Sequence, residues 1–370
     1  MVYRELLDVI SGSAESWMKE EKVPGSALCI MHEGEIAHMQ YIGYSDKKSK
    51  QPVTEDTLFQ VGSISKSVTS WGVMKLAEQQ ILDLDESIGR YLNGWSFPFS
   101  QYDGEKITIR QLLSHMAGIN VKSYLGVRNQ KNVYSTIESL SGGKYKSTKV
   151  GIVQDPGKAY LYSGGGYTIL QHIIETVTKM PFDIFMEQEV LQTLGIRGYY
   201  KVPQEITHLL AKPYGAFGEL QPVYCFSEMS AAGLYMSLRE LCKFVSSHLT
   251  ANNGLIGQRS LDQMFKKARV NVFYGLGYFV RNIQSKHFIF SMGRNRGYFS
   301  RFDLFYRDGE AFIILTNSIN GSNLTNRLLY PWYTYHLNNS VPNKDALFLN
   351  NTRKLTAFLQ ERMFLLQHLF

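Results

Sequence analysis

The segments of this chain that look like strands lie at its two ends. Residues 26–31 are apolar and β-prone, His32-Glu33-Gly34-Glu35 supplies a turn, and residues 36–44 complete a hairpin. From residue 273 the pattern returns to alternating aromatic and apolar positions, at 277–280, 288–291, 302–306 and 311–316. Between them, apolar residues recur at helical spacing over 63–79, 88–92, 107–114, 167–179, 182–194, 238–249 and 260–265. Two further helices are expected at 3–21 and 324–337. A chain of 370 residues is too long for one ordinary core, and it carries no internal repeat. The economical arrangement is α+β: an antiparallel sheet built from about 23–45 and 273–318, flanked by helices, with a mostly helical insertion over about 80–265. Residues 120–155, rich in Lys, Asn, Ser and Gly, show no clear element. Residues 1–340 then form the domain, and 341–370 a helical appendage that packs on its own domain, on a second copy as a homodimer, or on a membrane surface.

Composition removes several classes of function. The hydrophobic fraction of 44% is that of a globular protein rather than a disordered one. The net charge of +7 is scattered, apart from Lys47-Lys48-Ser49-Lys50 and the 144–149 stretch, which read as solvated loops, so no nucleic-acid partner is expected. Cys29, Cys225 and Cys242 show no ligand spacing, and no histidines pair at metal spacing, so neither a metal nor a cofactor is expected. No uncharged apolar run reaches the ~20 residues of a transmembrane helix. The N-terminal stretch is polar and amphipathic, unlike a signal peptide, which suggests a cytoplasmic protein, or a periplasmic or secreted one whose signal has been removed.

Chemistry centres on Gly62-Ser63-Ile64-Ser65-Lys66. A serine followed three residues later by a lysine places both on one helix face, where a neutral amine can take the hydroxyl proton. Gly62 suits a turn into a helix N-terminus, whose unpaired N–H groups favour a developing negative charge. Taken alone, the same residues equally describe a capping serine and an exposed lysine.

Other segments decide between these readings. They are Val23-Pro24-Gly25, Thr57-Leu58-Phe59, Leu82-Asp83-Leu84-Asp85, Ile107-Thr108-Ile109-Arg110-Gln111-Leu112-Leu113-Ser114-His115, Pro156-Gly157 before Tyr162-Ser163, Ala231-Ala232-Gly233-Leu234, Tyr274-Gly275-Leu276-Gly277 and Thr316-Asn317-Ser318. In register over residues 23–337, they resemble the serine β-lactamase and penicillin-binding protein superfamily, in its class C β-lactamase, D,D-peptidase and esterase branch. The resemblance implies the β-lactamase/transpeptidase-like fold and a serine hydrolase that acts through an acyl-enzyme on an ester, small amide or peptide. It implies Ser63 as nucleophile, Lys66 as the group that eases its deprotonation, and Tyr162 as general base and later acid. The backbone N–H groups of Ser63 and Arg294 would form the oxyanion hole beside Gly293, with Ser291 and Gly164 bordering the cleft.

Two motifs depart from the family pattern. The second, usually Tyr-x-Asn, is Tyr162-Ser163-Gly164, and the third, usually Lys-Thr-Gly or His-x-Gly, falls on Ser291-Met292-Gly293. The missing amide and missing cation argue against an efficient β-lactamase and for other esters or amides. A non-catalytic binding protein on the same scaffold, or a true penicillin-binding protein, are the alternatives. Arg294 and Arg296 are candidates for an anionic substrate group in place of the lost lysine. His115 reads as a structural hydrogen-bonding residue, Asp83 and Asp85 as turn residues, and Tyr160, Tyr167 and Tyr298 as cleft, rim or core.

Overall fold

Strands from the two ends of the chain meet at the middle of one sheet. The structure, a computed structural model, describes residues 2–341 apart from 129, 144, 145, 250–252, 284 and 285. The strands are β1 (Gly25–His32), β2 (Glu35–Asp46), β3 (Gln51–Pro52), β4 (Phe59–Gln60), β5 (Tyr235–Met236), β6 (Phe279–Ile283), β7 (Lys286–Asn295), β8 (Tyr298–Phe305) and β9 (Glu310–Thr316). Seven of them form an antiparallel sheet in the order β3-β2-β1-β9-β8-β7-β6, while β4 and β5 pair separately. The junction is β1 against β9, with Ser26 opposite Thr316 and Met31 opposite Ala311.

The helices are α1 (Val2–Glu20), α2 (Ile64–Glu78), α3 (Ile109–Leu113), α4 (Thr136–Leu140), α5 (Gly164–Thr178), α6 (Phe182–Phe185), α7 (Met229–Ala232), α8 (Leu238–Ser246), α9 (Gln258–Met264) and α10 (Gly321–Asn338). α6 continues into a π-helical stretch over Met186–Leu191. The α+β expectation therefore holds: an antiparallel sheet from both chain ends, with helices on its two faces. The appendage expected over 341–370 lies, from 342 onwards, outside the described residues.

Period-two alternation fills both faces of the sheet. On β1 and β9, Ala27, Cys29, Ala311, Ile313 and Leu315 join a core with α2, α5 and α8. The intervening Leu28, Ile30, Phe312 and Ile314 join a second core with Trp17 of α1 and Trp332 of α10. Each fully buried Leu, Ile or Phe among them contributes about 1.5–3 kcal/mol. Among the described residues no helix is long and apolar enough to cross a membrane.

α2 is more deeply buried than its apolar spacing alone suggests. Ile64 through Met74 are buried on every side, polar residues included. A helix enclosed all round must satisfy its hydroxyls internally. Ser65 donates to the Gly62 carbonyl at 2.7 Å, Thr69 to the Ser65 carbonyl at 2.8 Å and Ser70 to the Lys66 carbonyl at 2.9 Å. The helix that opens on Ser63 is thus a fixed element on which a side chain can be placed accurately.

Candidate active site

Ser63 sits at the N-cap of α2, after a turn that only glycine makes easily. Gly62 has φ +53, and a Cβ there would lie 2.8 Å from the Arg294 amide nitrogen. The turn is held by the Val61 N–H donating to the Leu234 carbonyl at 3.0 Å, and by the Ser300 hydroxyl donating to the Val61 carbonyl at 2.6 Å. One helical turn on, Lys66 Nζ donates to Ser63 Oγ at 3.1 Å and to the Ala231 carbonyl at 2.7 Å. Lys66 is buried, 3% exposed, while Ser63 is only half-buried. The hydroxyl is therefore reachable from solvent and the amine beneath it is shielded. The expected i, i+3 juxtaposition is present, and the lysine is not the exposed residue of the alternative reading.

Tyr162 lies against the same amine, with Lys66 Nζ 5.1 Å from its ring centroid. Its position is set by His115, which adopts φ +58 at the end of α3. The His115 carbonyl accepts from the Leu161 N–H at 2.8 Å, and His115 Nδ1 accepts from the Ser163 N–H at 3.1 Å. Burial, with the Lys66 charge second, drives the imidazole well below its ordinary pKa, so it is neutral and Nδ1 is free to accept. The structural hydrogen bond expected of His115 is thus present. Past Tyr162 the chain enters α5, where the Ser163 hydroxyl caps the helix by accepting from the Gly166 N–H at 2.9 Å.

The third wall is β7. A Cβ on Gly293 would collide with the Val61 carbonyl oxygen and would lie 2.7 Å from the Ser63 amide nitrogen. Ser63 and Arg294 amides therefore border one narrow gap that tolerates no side chain at Gly293. Among the N–H groups at a helix start, that of Ser63 has no intrahelical acceptor.

Ser291 lies beneath this wall, buried, and its hydroxyl bonds that of Ser67 at 2.7 Å. The Gly164 amide donates to the Lys122 carbonyl at 3.2 Å, and a Cβ there would lie 3.1 Å from the Tyr124 ring. Tyr124 thus crowds the position from which an asparagine of the usual second motif would project. Arg294 projects outward and donates to Ser322 Oγ at 2.9 Å, while Arg296 Nη1 donates to Tyr224 Oη at 2.8 Å. Tyr167 and Tyr298 belong to the core, their hydroxyls donating to the Leu113 and Ala211 carbonyls at 2.9 and 2.6 Å. Tyr160 is half-buried, edge-on to His115. Asp83 accepts from the Asp85 N–H at 2.8 Å, and Asp85 pairs with Arg110, so both do turn work.

Sequence reasoning did not foresee three contacts. The Ala231 carbonyl holds Lys66, although the Ala231-Ala232-Gly233 segment was singled out as a motif. Asn295 Nδ2 donates to Gln60 Oε1 at 2.8 Å and to the Ala232 carbonyl at 3.1 Å. Gln60 in turn donates to the Tyr224 carbonyl at 2.7 Å. Partners so far apart in the chain leave no spacing signal. Among the described residues no cluster of His, Cys, Asp and Glu could hold a metal ion.

Comparison with known proteins agrees with this fold. The family profile described as Beta-lactamase matches residues 12–327. PbpX of Bacillus subtilis (strain 168), provisionally named a penicillin-binding protein, is 26% identical over 317 residues, covering 82% of this chain and 73% of its own. A beta-lactamase of Pseudomonas fluorescens is 26% identical over 220 residues, which are 58% of this chain and 56% of that protein. Against that second relative the chain therefore spans little more than half its length. In fold, the octameric penicillin-binding protein homologue from Pyrococcus abyssi superposes with a TM-score of 0.75 at 24% identity, over 93% of this chain and 79% of that one.

Proposed function

The chain belongs to the Beta-lactamase family, and from that premise we propose that it is a serine hydrolase that forms an acyl-enzyme on Ser63. The observation that carries this reading is the Lys66 amine 3.1 Å from the Ser63 hydroxyl, on the floor of a half-open site. Tyr162 accepts the hydroxyl proton, and the Lys66 amine beside the hydroxyl eases its departure, as Oγ attacks the substrate carbonyl carbon. The oxyanion that forms is stabilised by the Ser63 and Arg294 N–H groups, which together are worth about 3 kcal/mol or more in such sites. Tyr162 returns the proton to the departing alcohol or amine as the carbon–heteroatom bond breaks, leaving Ser63 acylated. Water, activated by the same pair, then releases the acid.

The substrate class this supports is an ester, or a small amide or peptide. Ser291 offers no charge for a substrate carboxylate, and its hydroxyl already bonds Ser67. Gly164 offers no amide for a side-chain carbonyl. Both features favour substrates other than β-lactams. A fluorophosphonate probe tests the reading: it labels Ser63 in the wild type and leaves Ser63→Ala unlabelled. Equal p-nitrophenyl ester hydrolysis by wild type and Ser63→Ala would overturn it.

A further inference from the structure

Two arginines converge on one phenol beyond the end of β7. Arg128 Nε and Arg296 Nη1 donate to Tyr224 Oη at 3.3 and 2.8 Å. The Arg296 guanidinium also lies 5.0 Å from the Tyr224 ring centroid. The loops that carry Arg128 and Tyr224 are tied together, because Val127 and Cys225 exchange backbone hydrogen bonds of 2.8 Å in both directions. Tyr224 is tied in turn to the strand leading into Ser63, through the Gln60 bond to its carbonyl. The loops that carry Arg128 and Tyr224 are thus tied to the strand leading into the nucleophile, and both arginines are exposed.

A phenol is a weak counterpart for two guanidiniums. Like charges brought together repel, and a planar guanidinium fork matches a carboxylate far better than one hydroxyl oxygen. The pocket here is lined by Leu125, Val127, Arg128, Lys131, Tyr134 and Arg296. Glu138 also lines it, but its carboxylate accepts from the Ser135 N–H and hydroxyl at 2.8 and 2.7 Å. Arg128's hydrogen bond first, and the Arg296 charge after it, hold the Tyr224 phenol below its ordinary range, as expected of a hydroxyl shared by two guanidiniums.

The pocket also lies at the correct end of the site for an acyl group. Tyr162 and His115 sit toward the Phe290 end of β7: Tyr274 packs 4.8 Å from His115, bridges to Phe279, and Phe279 pairs with Phe290. Arg296 follows Asn295 at the opposite end. A leaving group protonated by Tyr162 departs at the first end, so an acyl chain running along β7 past Gly293 heads for the arginines.

We propose that Arg128 and Arg296 form a subsite for a carboxylate at the far end of the acyl group, making dicarboxylic half-esters or half-amides the preferred substrates. This rests on the hydrolase reading, which the test separates from it. Mono-p-nitrophenyl adipate is compared with p-nitrophenyl hexanoate, of equal chain length and lacking the terminal carboxylate. The ratio of their kcat/KM values is expected to be about tenfold higher for wild type than for Arg128→Gln/Arg296→Gln, and to fall as salt is added. An equal ratio in the two proteins, with the variant shown folded by circular dichroism, overturns the subsite. Should neither ester show Ser63-dependent turnover, the hydrolase reading fails. The subsite is then decided by calorimetric titration of adipate into Ser63→Ala with and without the two arginines: weaker binding without them supports it, and equal or absent binding overturns it.

Discussion

The imidazole of His115 packs on the ring of Tyr162 with centroids 4.3 Å apart, and holds the chain on both sides of that tyrosine. His115 is thus a positioning residue for the proposed base. Asparagine tolerates a positive φ and can present an oxygen where Nδ1 accepts; leucine does neither well. His115→Asn is expected to keep kcat for a p-nitrophenyl ester within about tenfold of wild type, and His115→Leu to lose about a hundredfold in kcat with little change in KM. A His115→Leu protein that folds and turns over like wild type would remove the assignment.

Lys66 couples activity and stability in opposite directions. It is buried, and its two hydrogen-bond acceptors, the Ser63 hydroxyl and the Ala231 carbonyl, are neutral. A methionine of similar length relieves the cost of a buried cation. Lys66→Met is expected to melt no lower than wild type while losing about three orders of magnitude or more in kcat. Thermal melts and ester kinetics on the same preparation check both halves.

The altered second motif is matched by its surroundings. Because a Cβ on Gly164 would lie 3.1 Å from the Tyr124 ring, Gly164→Asn is expected to cost about 1–3 kcal/mol by overpacking. Trimming the obstruction in Gly164→Asn/Tyr124→Ala should cost less than the sum of the two single changes, because the sites share one space. Denaturant melts of the four proteins measure the coupling, and strict additivity would contradict it.

Acid should weaken the fold through its buried histidines. His248 bonds the Phe244 carbonyl at 2.7 Å and Tyr278 Oη at 2.9 Å, and burial lowers its pKa from the usual 6.5 to about 4. Between those values the unfolded chain binds a proton that the folded chain does not, so stability is complete above the upper value and falls as the pH drops through the window. A shift of this size corresponds to about 3 kcal/mol. His115, depressed chiefly by burial, adds a loss of the same sign. Melting temperatures across this range should fall with acid, less steeply in His248→Gln. A flat profile in wild type would contradict the assignment.

Much of this was legible in the sequence because it is local. The unbroken apolar runs of β1 and β9 mark strands buried on both faces, and Thr108 announces α3 through a complete capping box with Gln111. The spacing of Ser63 and Lys66 gives their contact directly. Long-range contacts are a different matter. Nothing in the chain pairs Gln60 with Asn295, Ser67 with Ser291, or Arg128 with Tyr224, since each contact depends on how β7 and the loops settle against α2. Residues 120–155 gave no clear element for a physical reason: the described residues among them form short turns, brief 3-10 stretches and the five-residue helix α4, held by bonds such as Tyr134 N–H to Ser227 Oγ at 2.7 Å.

The central claim is that Ser63 becomes acylated. Intact-mass measurement after brief exposure to a panel of activated esters tests it most directly. The account predicts a mass increase equal to the acyl group in wild type, located on Ser63 by peptide mapping, decaying as product acid is released, and no increase in Ser63→Ala. Acylation at another residue, or Ser63→Ala turning over the esters at the wild-type rate, would contradict it.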